Sequence, residues 1–314
     1  MATDDGLQVV FGAGPIGRAI VSELSDRGSR VRVVNRSGVG DLPDEVDVVT
    51  GDASDGEFAS KACEEASVVY FALNPPYTSW PELFPPLQQA VLQGASAVGA
   101  RLVAMENLYG YGPVSGSLTE NLPLAATGKK GRTRARMANE LMEAHKAGRV
   151  EVAIGRASDF FGPYGLVSHV GERLFYPALN GKKAQFIAGI DTPHTYTFTR
   201  DIGRALVTLG VSDEAVGQAW HIPSPPTLTT REFVSMVYRE AGTELKVSVM
   251  PRFVLHALGL VNPIVRELKE ILHEFDEPFI VDHSKFADKF GVEATPHEEA
   301  IRTTLEWYRA NPRA

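Results

Sequence analysis

One cysteine, Cys63, stands in a chain of 314 residues, so no intrachain disulfide can form and a reducing compartment suits the protein. Long apolar runs are missing as well: stretches such as Val68 to Leu73 are far too short to span a bilayer. Basic residues are outnumbered, with 31 Lys and Arg against 39 Asp and Glu, and the net charge of −8 argues against a nucleic-acid or anionic-membrane partner. The histidines, His145, His169, His221 and His283 among them, show no metal-ligand spacing, so no metal site is expected. The stretch Met1-Ala2-Thr3-Asp4-Asp5 lacks the positive-then-apolar profile of a secretion signal. Together these absences predict a soluble, cytoplasmic protein. What is present is an ordinary hydrophobic share of 44%, enough for a sizeable core without staples.

The most informative stretch is Val9-Val10-Phe11-Gly12-Ala13-Gly14-Pro15-Ile16-Gly17-Arg18, a Gly-x-Gly-x-x-Gly turn. The apolar run Leu7 to Phe11 before it reads as a buried parallel strand. The segment after it places Ile16, Ala19, Ile20 and Leu24 on one helical face. In this setting Gly12 allows a tight turn, Gly14 lets the backbone approach a pyrophosphate, and Gly17 lets helix and strand pack closely. Phosphates would sit at the helix N-terminus, where free N–H groups favour anions. A dinucleotide site is therefore expected, with Gly12, Gly14, Pro15, Ile16 and Gly17 lining it.

Further short strands are expected at Val31–Val34, Val46–Val49, Ser67–Ala72, Arg101–Met105 and Val150–Ile154, mostly separated by helical patterns. Two crossovers fall at Glu57–Ala66 and Leu87–Gly99, and a long helix at Thr133–Ala147. Asn74 to Pro86, rich in proline, reads as a loop above the strand ends. Beyond Gly162-Pro163-Tyr164-Gly165, helical patterns dominate at Thr230–Gly242, Val254–Gly259, Ile264–Phe275 and Pro296–Arg309. The fold class read from this order is α/β: a Rossmann-type, doubly wound parallel sheet with a smaller, mostly helical C-terminal lobe. Residues 1–163 would form the dinucleotide-binding domain, with return segments near 195–222, and residues 164–314 mainly the substrate lobe. A small-molecule substrate would lie in the cleft between them.

The second strand ends in Asn35-Arg36-Ser37, where a site selective for NAD usually carries an acid on the ribose hydroxyl. A guanidinium there suits a 2′-phosphate, because it binds phosphate in a bidentate fork. Asn35, Arg36 and Ser37 thus favour NADP(H) over NAD(H); the alternative is that Arg36 is a plain surface residue. Ala72, closing the fourth strand, completes the expected cofactor cradle.

Several motifs resemble those of the extended short-chain dehydrogenase/reductase superfamily, which holds sugar-nucleotide epimerases and dehydratases, over nearly the whole chain. Besides the glycine turn, Gly51-Asp52-Ala53-Ser54-Asp55 is similar to its acidic turn after the third strand, which implies that Asp52 sits near the adenine. Arg156-Ala157-Ser158-Asp159-Phe160-Phe161-Gly162-Pro163 resembles its Arg-Pro-x-x-x-Tyr-Gly-Pro element. His194-Thr195-Tyr196-Thr197-Phe198-Thr199-Arg200-Asp201 resembles its Arg-Asp-Tyr-x-x-Val-x-Asp element, and Thr227-Leu228-Thr229 before a helix also fits. Many extended members carry Gly-x-x-Gly-x-x-Gly instead, so the spacing here points to the atypical branch.

The catalytic motif departs further. Aligned by Gly131 and Glu140, Lys130 stands at the tyrosine and Arg134 at the lysine of the family's Tyr-x-x-x-Lys pair, and Asn107 at its serine or threonine. In the parent design a lysine lowers the tyrosine from its ordinary pKa of about 10 so that it exchanges a proton near neutrality. Arg134 cannot do this. Lys130, crowded by Lys129, Arg132 and Arg134, is expected to shed its proton more readily and to protonate a substrate oxygen, with Asn107 polarising the carbonyl. The alternative is that Lys129–Arg136 is a solvated basic helix start. Tyr109 is the runner-up proton donor, with packing as its alternative role, and Tyr111 matches an architectural tyrosine of the family. The family's diphosphate-gripping arginine corresponds to His194 and an asparagine to Asp159. Asp159, His194 and Tyr111 are therefore candidate substrate residues, and a smaller or less anionic substrate than a nucleotide sugar is implied.

Three readings follow. The leading one is an NADP(H)-dependent oxidoreductase acting on a small carbonyl or alcohol. A second is an NAD(P)-dependent epimerase or dehydratase, and a third a non-catalytic NADP(H)-binding redox sensor. The resemblance also implies a homodimer through Leu87–Gly99 and Thr133–Ala147.

Overall fold

The computed structural model describes residues 6–38, 41–187, 189–250, 254, 267, 270 and 272–313. Its centre is a seven-stranded parallel sheet. Six of the strands are β1 (Leu7–Phe11), β2 (Arg30–Asn35), β3 (Asp47–Thr50), β4 (Ala66–Phe71), β5 (Arg101–Glu106) and β6 (Val152–Arg156). After the short strands β7 (Asp159–Phe161), β8 (Ala184–Phe186), β9 (Pro193–His194) and β10 (Tyr196–Phe198), the seventh sheet strand is β11 (Gln218–His221). The spatial order is β11-β6-β5-β4-β1-β2-β3. The order reverses between β1 and β4, and that switch point opens the crevice in which doubly wound sheets bind ligands.

Helices cover both faces: α1 (Pro15–Asp26), α2 (Gly56–Ala62), α3 (Trp80–Val98), α4 (Lys129–Lys146) and, later, α6 (Thr199–Val211). Side chains alternate across the sheet, so Val9 and Phe11 join Val69, Val91, Leu102 and Leu141 in one core. Val10 points the other way and packs with Ile20, Val33, Tyr70 and Leu206. Each such side chain contributes about 1.5–3 kcal/mol when fully buried, which is why these strands read as largely apolar runs. Among the described residues no helix is long and apolar enough to cross a membrane.

Several boundaries differ from the expectation. The loop expected from Asn74 to Pro86 ends far earlier: a short 3-10 turn at Tyr77–Ser79 leads straight into α3, which contains Pro85 and Pro86. Pro81 stands in the first turn, where a missing N–H costs nothing. The two later prolines each remove a helix hydrogen bond, but Trp80, Phe84, Gln88 and Val91 form a buried face that outweighs this. The Trp80 and Phe84 rings meet edge-on at 5.2 Å. The first crossover helix stops at Ala62, because β4 starts at Ala66. Most consequentially, α4 starts at Lys129 rather than Thr133, so the basic run is its first two turns.

The C-terminal lobe packs α5 (Glu172–Leu179), α7 (Thr230–Ala241), α8 (Ser284–Phe290) and α9 (His297–Ala310) after and around the short strands. Phe161, Phe175, Phe198, Phe233 and Tyr308 form the centre of its main core. The start of α7 is fixed by a capping box between Thr229 and Glu232. The lobe holds more strand than expected: β7 pairs with β10, β8 with β13 (Val247–Val249), and β9 with β12 (Leu228–Thr229). The helix expected at Val254–Gly259 and most of that at Ile264–Phe275 lie outside the described residues; a helical turn at His273–Asp276 is described.

Candidate active site

The glycine turn shows three different local reasons for glycine. Gly12 has φ +114°, and a Cβ there would stand 2.6 Å from the Ala72 carbonyl oxygen at the end of β4. A Cβ on Gly17 would stand 2.8 Å from the Gly12 carbonyl carbon, so α1 can lie against the turn only with glycine there. Around Gly14, by contrast, an added Cβ meets nothing within 4 Å. Gly14 is also the N-cap of α1, with no side chain capping the helix, and Pro15 and Ile16 follow it. No side chain therefore caps the first-turn N–H groups, and there is room at Gly14 for another group to approach, as an anion site requires. Sequence reasoning missed Arg18, which donates to the carbonyls of Ala13 (3.1 Å) and Asp41 (2.5 Å). Its guanidinium lies 4.3 Å from the centre of the Tyr164 ring, and the Tyr164 hydroxyl donates to Asp41 Oδ2 at 2.5 Å. Its place beside the third glycine was the available signal.

At the end of β2, Asn35 turns out to shape the loop. Its Oδ1 accepts from the N–H groups of Ser37 (3.1 Å) and Gly38 (2.6 Å), an Asx turn that leaves Arg36 and Ser37 exposed. Asp52 is exposed nearby. Hydrogen bonds from the Ser54 backbone and hydroxyl hold its carboxyl below the usual range, and the Arg36 charge adds to this.

At the start of α4 the basic run divides. Lys129, Arg132 and Arg136 are exposed, whereas Lys130 and Arg134, one turn apart on one face, are only 3% and 4% exposed. A solvated helix start thus describes the first three and fails for the other two. The like-charge crowding expected at Lys130 is replaced by a carboxylate: its Nζ pairs with Glu267 and lies 4.2 Å from the centre of the Tyr77 ring. Glu270 Oε1 accepts from the N–H groups of Lys130 (2.8 Å) and Gly131 (3.2 Å). Arg134 donates through Nη2 to the Met105 carbonyl at 3.0 Å and lies over Phe84. Its Nε and Nη1 are buried without a hydrogen-bond partner, and desolvation pulls its pKa down.

Asn107 Oδ1 accepts from the Tyr109 N–H at 3.3 Å. The Tyr109 ring lies 5.8 Å from that of Trp80, and burial and then the nearby Glu274 push its phenol well above the ordinary value. Tyr111 sits elsewhere. Its hydroxyl accepts from Arg156 Nη1 (2.7 Å) and is bonded to His221 Nε2 (2.8 Å), and Arg156 Nε donates to Glu106 Oε2 at 3.2 Å. This chain is fully buried, so Tyr111 joins β5, β6 and β11 together and does not stand free for a substrate.

Asp159 and His194 are brought together, Oδ2 to Nε2 at 3.1 Å. The other ring nitrogen of His194 donates to the Glu274 backbone carbonyl at 3.0 Å, and the ring is stacked on Phe275 and Phe279, each at 5.0 Å. With 1% exposure and both nitrogens engaged, His194 holds Asp159 and the 273–276 turn in place rather than contacting a ligand itself. Burial works against the Asp159 carboxylate, yet the His194 hydrogen bond and charge, with His169 behind them, bring its pKa below the usual range. His169 stacks on Phe275 at 4.2 Å, and its buried Nε2 has no partner. Burial pulls it down to about 4. Among the described residues no group of acids, cysteines and histidines could hold a metal ion.

Residues 12–154 match the NAD(P)H-binding family model. No curated protein matches the chain. Solved structures match nearly all of it: an epimerase from Methanothermobacter thermautotrophicus has a TM-score of 0.82 at 18% identity, over 98% of this chain and 94% of its own. The chain has the epimerase/dehydratase fold. A dTDP-glucose 4,6-dehydratase from Bacillus anthracis, solved with NAD, has a TM-score of 0.78 at 18% identity, over 98% and 97% of the two chains. A UDP-glucuronic acid 4-epimerase from Bacillus cereus, solved with UDP-glucuronic acid and NAD, has a TM-score of 0.78 at 17% identity, over 98% and 100%.

Proposed function

We propose that the protein is an NAD(P)(H)-dependent enzyme that moves a hydride to or from the carbinol carbon of a small substrate lacking a diphosphate. The observation that carries this reading is the glycine turn, where the open N-terminus of α1 at Gly14 meets free space at the switch point of the sheet. The buried donors of Arg134 are a second sign. Unpaired N–H groups are costly, and the hydroxyls of a cofactor ribose are acceptors of the right kind. When bound, the nicotinamide supplies or accepts the hydride. The chain's own part is to hold the phosphates at Gly12–Gly17, the adenosine beside Arg36, Ser37 and Asp52, and the substrate oxygen near Asn107.

NADP(H) is the proposed cofactor, because β2 ends beside Arg36 and no acid stands there. The engaged ring of His194, at the position that corresponds to the family's diphosphate-gripping arginine, supports a substrate without a diphosphate. The solved structures with this fold include epimerases and dehydratases, which favours a cycle that takes a hydride and returns it over net reduction. The test is incubation with C4-deuterated NADPH and a panel of short aldehydes, ketones and sugars. Net loss of reduced nicotinamide supports an oxidoreductase, and label exchange without net loss supports the internal cycle. Neither, with cofactor still bound, refutes hydride transfer and leaves the sensor.

A further inference from the structure

Pro15 leaves the start of α1 short of a donor. It stands in the first turn, next to the N-cap Gly14, and a proline nitrogen carries no hydrogen. The Arg18 N–H is already spent on the Gly14 carbonyl at 2.9 Å. A diphosphate laid against this turn therefore meets fewer N–H groups than a helix start ordinarily offers, and needs positive charge from elsewhere. Arg18 is placed to give it. Resting on the NAD(P)(H) site proposed above, we infer that the Arg18 guanidinium binds the cofactor diphosphate and that Tyr164, from the C-terminal lobe, holds it in position.

The contacts tie Arg18 to the glycine turn itself. Its Nε donates at 3.1 Å to the carbonyl of Ala13, between Gly12 and Gly14, and its Nη1 donates at 2.5 Å to the Asp41 carbonyl. The guanidinium lies over the Tyr164 ring, 4.3 Å from its centre. These three partners carry no formal charge, and the Asp41 carboxylate is engaged by the Tyr164 hydroxyl at 2.5 Å. The guanidinium is thus aimed by carbonyls and a ring face that leave its charge in place. The two bonds leave other N–H groups of the fork for phosphate oxygens. Arg18 is half-buried, and a Cβ added at Gly14 meets nothing within 4 Å, so a phosphate has room beside the turn.

Tyr164 stands where glycine would fit more easily. The Gly165 N–H donates to the Gly162 carbonyl at 3.1 Å and closes a turn with Pro163 second and Tyr164 third. Tyr164 has φ +63°, the left-handed region that a turn of this kind fills best with glycine. Its ring packs against Trp307 on α9, centres 4.8 Å apart, and its hydroxyl is fixed on Asp41. A side chain kept in place at the cost of backbone strain is a feature of ligand clamps. Here the clamp joins the C-terminal lobe to the glycine turn through Arg18. The α1 N–H groups and the guanidinium then grip the diphosphate together, and the planar fork bonds two phosphate oxygens at once.

The test is calorimetric titration with NADH, whose only phosphates are the diphosphate, and with NADPH, each at low and high salt. Wild type is compared with Arg18→Met, Arg18→Lys and Tyr164→Leu. Arg18→Met is expected to weaken both cofactors by the same factor, about tenfold or more, and Arg18→Lys to recover part of the loss. Added salt should weaken wild-type binding more steeply than that of Arg18→Met, because the variant has lost a charge on the phosphates. Tyr164→Leu, which leaves α1 untouched, should lose about threefold for both cofactors, and nothing further when combined with Arg18→Met. Unchanged affinity in Arg18→Met overturns the inference and leaves the cofactor reading standing. A loss confined to NADPH also overturns it, by moving Arg18 to the 2′-phosphate. So does a loss with wild-type salt dependence and no rescue by lysine, which makes Arg18 a support of the turn alone. Should circular dichroism show Arg18→Met unfolded, Arg18→Lys and Tyr164→Leu decide in its place, and wild-type affinity in both overturns the inference. Wild type that binds neither cofactor overturns the NAD(P)(H) reading, and the inference falls with it.

Discussion

Gly14→Ala and Gly17→Ala add the same methyl group three residues apart and should behave oppositely. At Gly14 the backbone (φ −75°, ψ −173°) suits any residue, and nothing lies within 4 Å of the new atom. Stability should hold, or rise by about 0.4–1 kcal/mol as the unfolded chain loses freedom. At Gly17 the new Cβ would run into the Gly12 carbonyl group, nearer still to its oxygen than to its carbon at 2.8 Å, where ordinary contact starts at 3.4 Å, so the turn must open. Overpacking of that kind costs about 1–3 kcal/mol. Binding reverses the order of interest: the Gly14 methyl fills the space through which a pyrophosphate reaches the α1 N–H groups. Losing one charge-assisted hydrogen bond, about 1.5–3 kcal/mol, weakens NADPH roughly tenfold or more. Urea denaturation followed by circular dichroism reads the first effect, and calorimetry with NADPH the second. Wild-type NADPH affinity in Gly14→Ala, or wild-type stability in Gly17→Ala, would refute the reasoning.

Arg36→Ala should weaken NADPH by about tenfold to a hundredfold and leave NADH unchanged, because only the 2′-phosphate needs the guanidinium; parallel titrations decide it. Glu106→Gln leaves Arg134 and Arg156 buried without their carboxylate, so a loss of about 3–5 kcal/mol is expected in urea denaturation. For His169, the native value of about 4 lies below the ordinary value near 6.5. Between those values the unfolded chain binds a proton that the native one does not. Its share of stability is therefore complete above about pH 6.5 and falls by about 3 kcal/mol as the pH drops toward 4. His169→Phe should flatten that slope in denaturation curves measured across the window.

Much of the fold was legible because local and global signals agree. The apolar runs of β1, β4 and β5 are buried on both faces, and glycine spacing between strand and helix has few other uses. α3 was misread because proline propensity spoke for a loop, while Trp80 and Phe84, whose burial decides the matter, gain their value only from Phe71 and the sheet. The start of α4 was misplaced for a related reason. A run of charge looks solvated until its face is known, and the burial of Lys130 and Arg134 depends on Glu267, Glu106 and Phe84 from distant segments.

The most direct measurement is calorimetric titration of the purified protein with NADPH, NADP⁺ and NADH in parallel. The account predicts that both phosphorylated forms bind with comparable affinity and that NADH binds more weakly. Absence of binding by all three would contradict it, since an open helix N-terminus at Gly14 would then hold no dinucleotide.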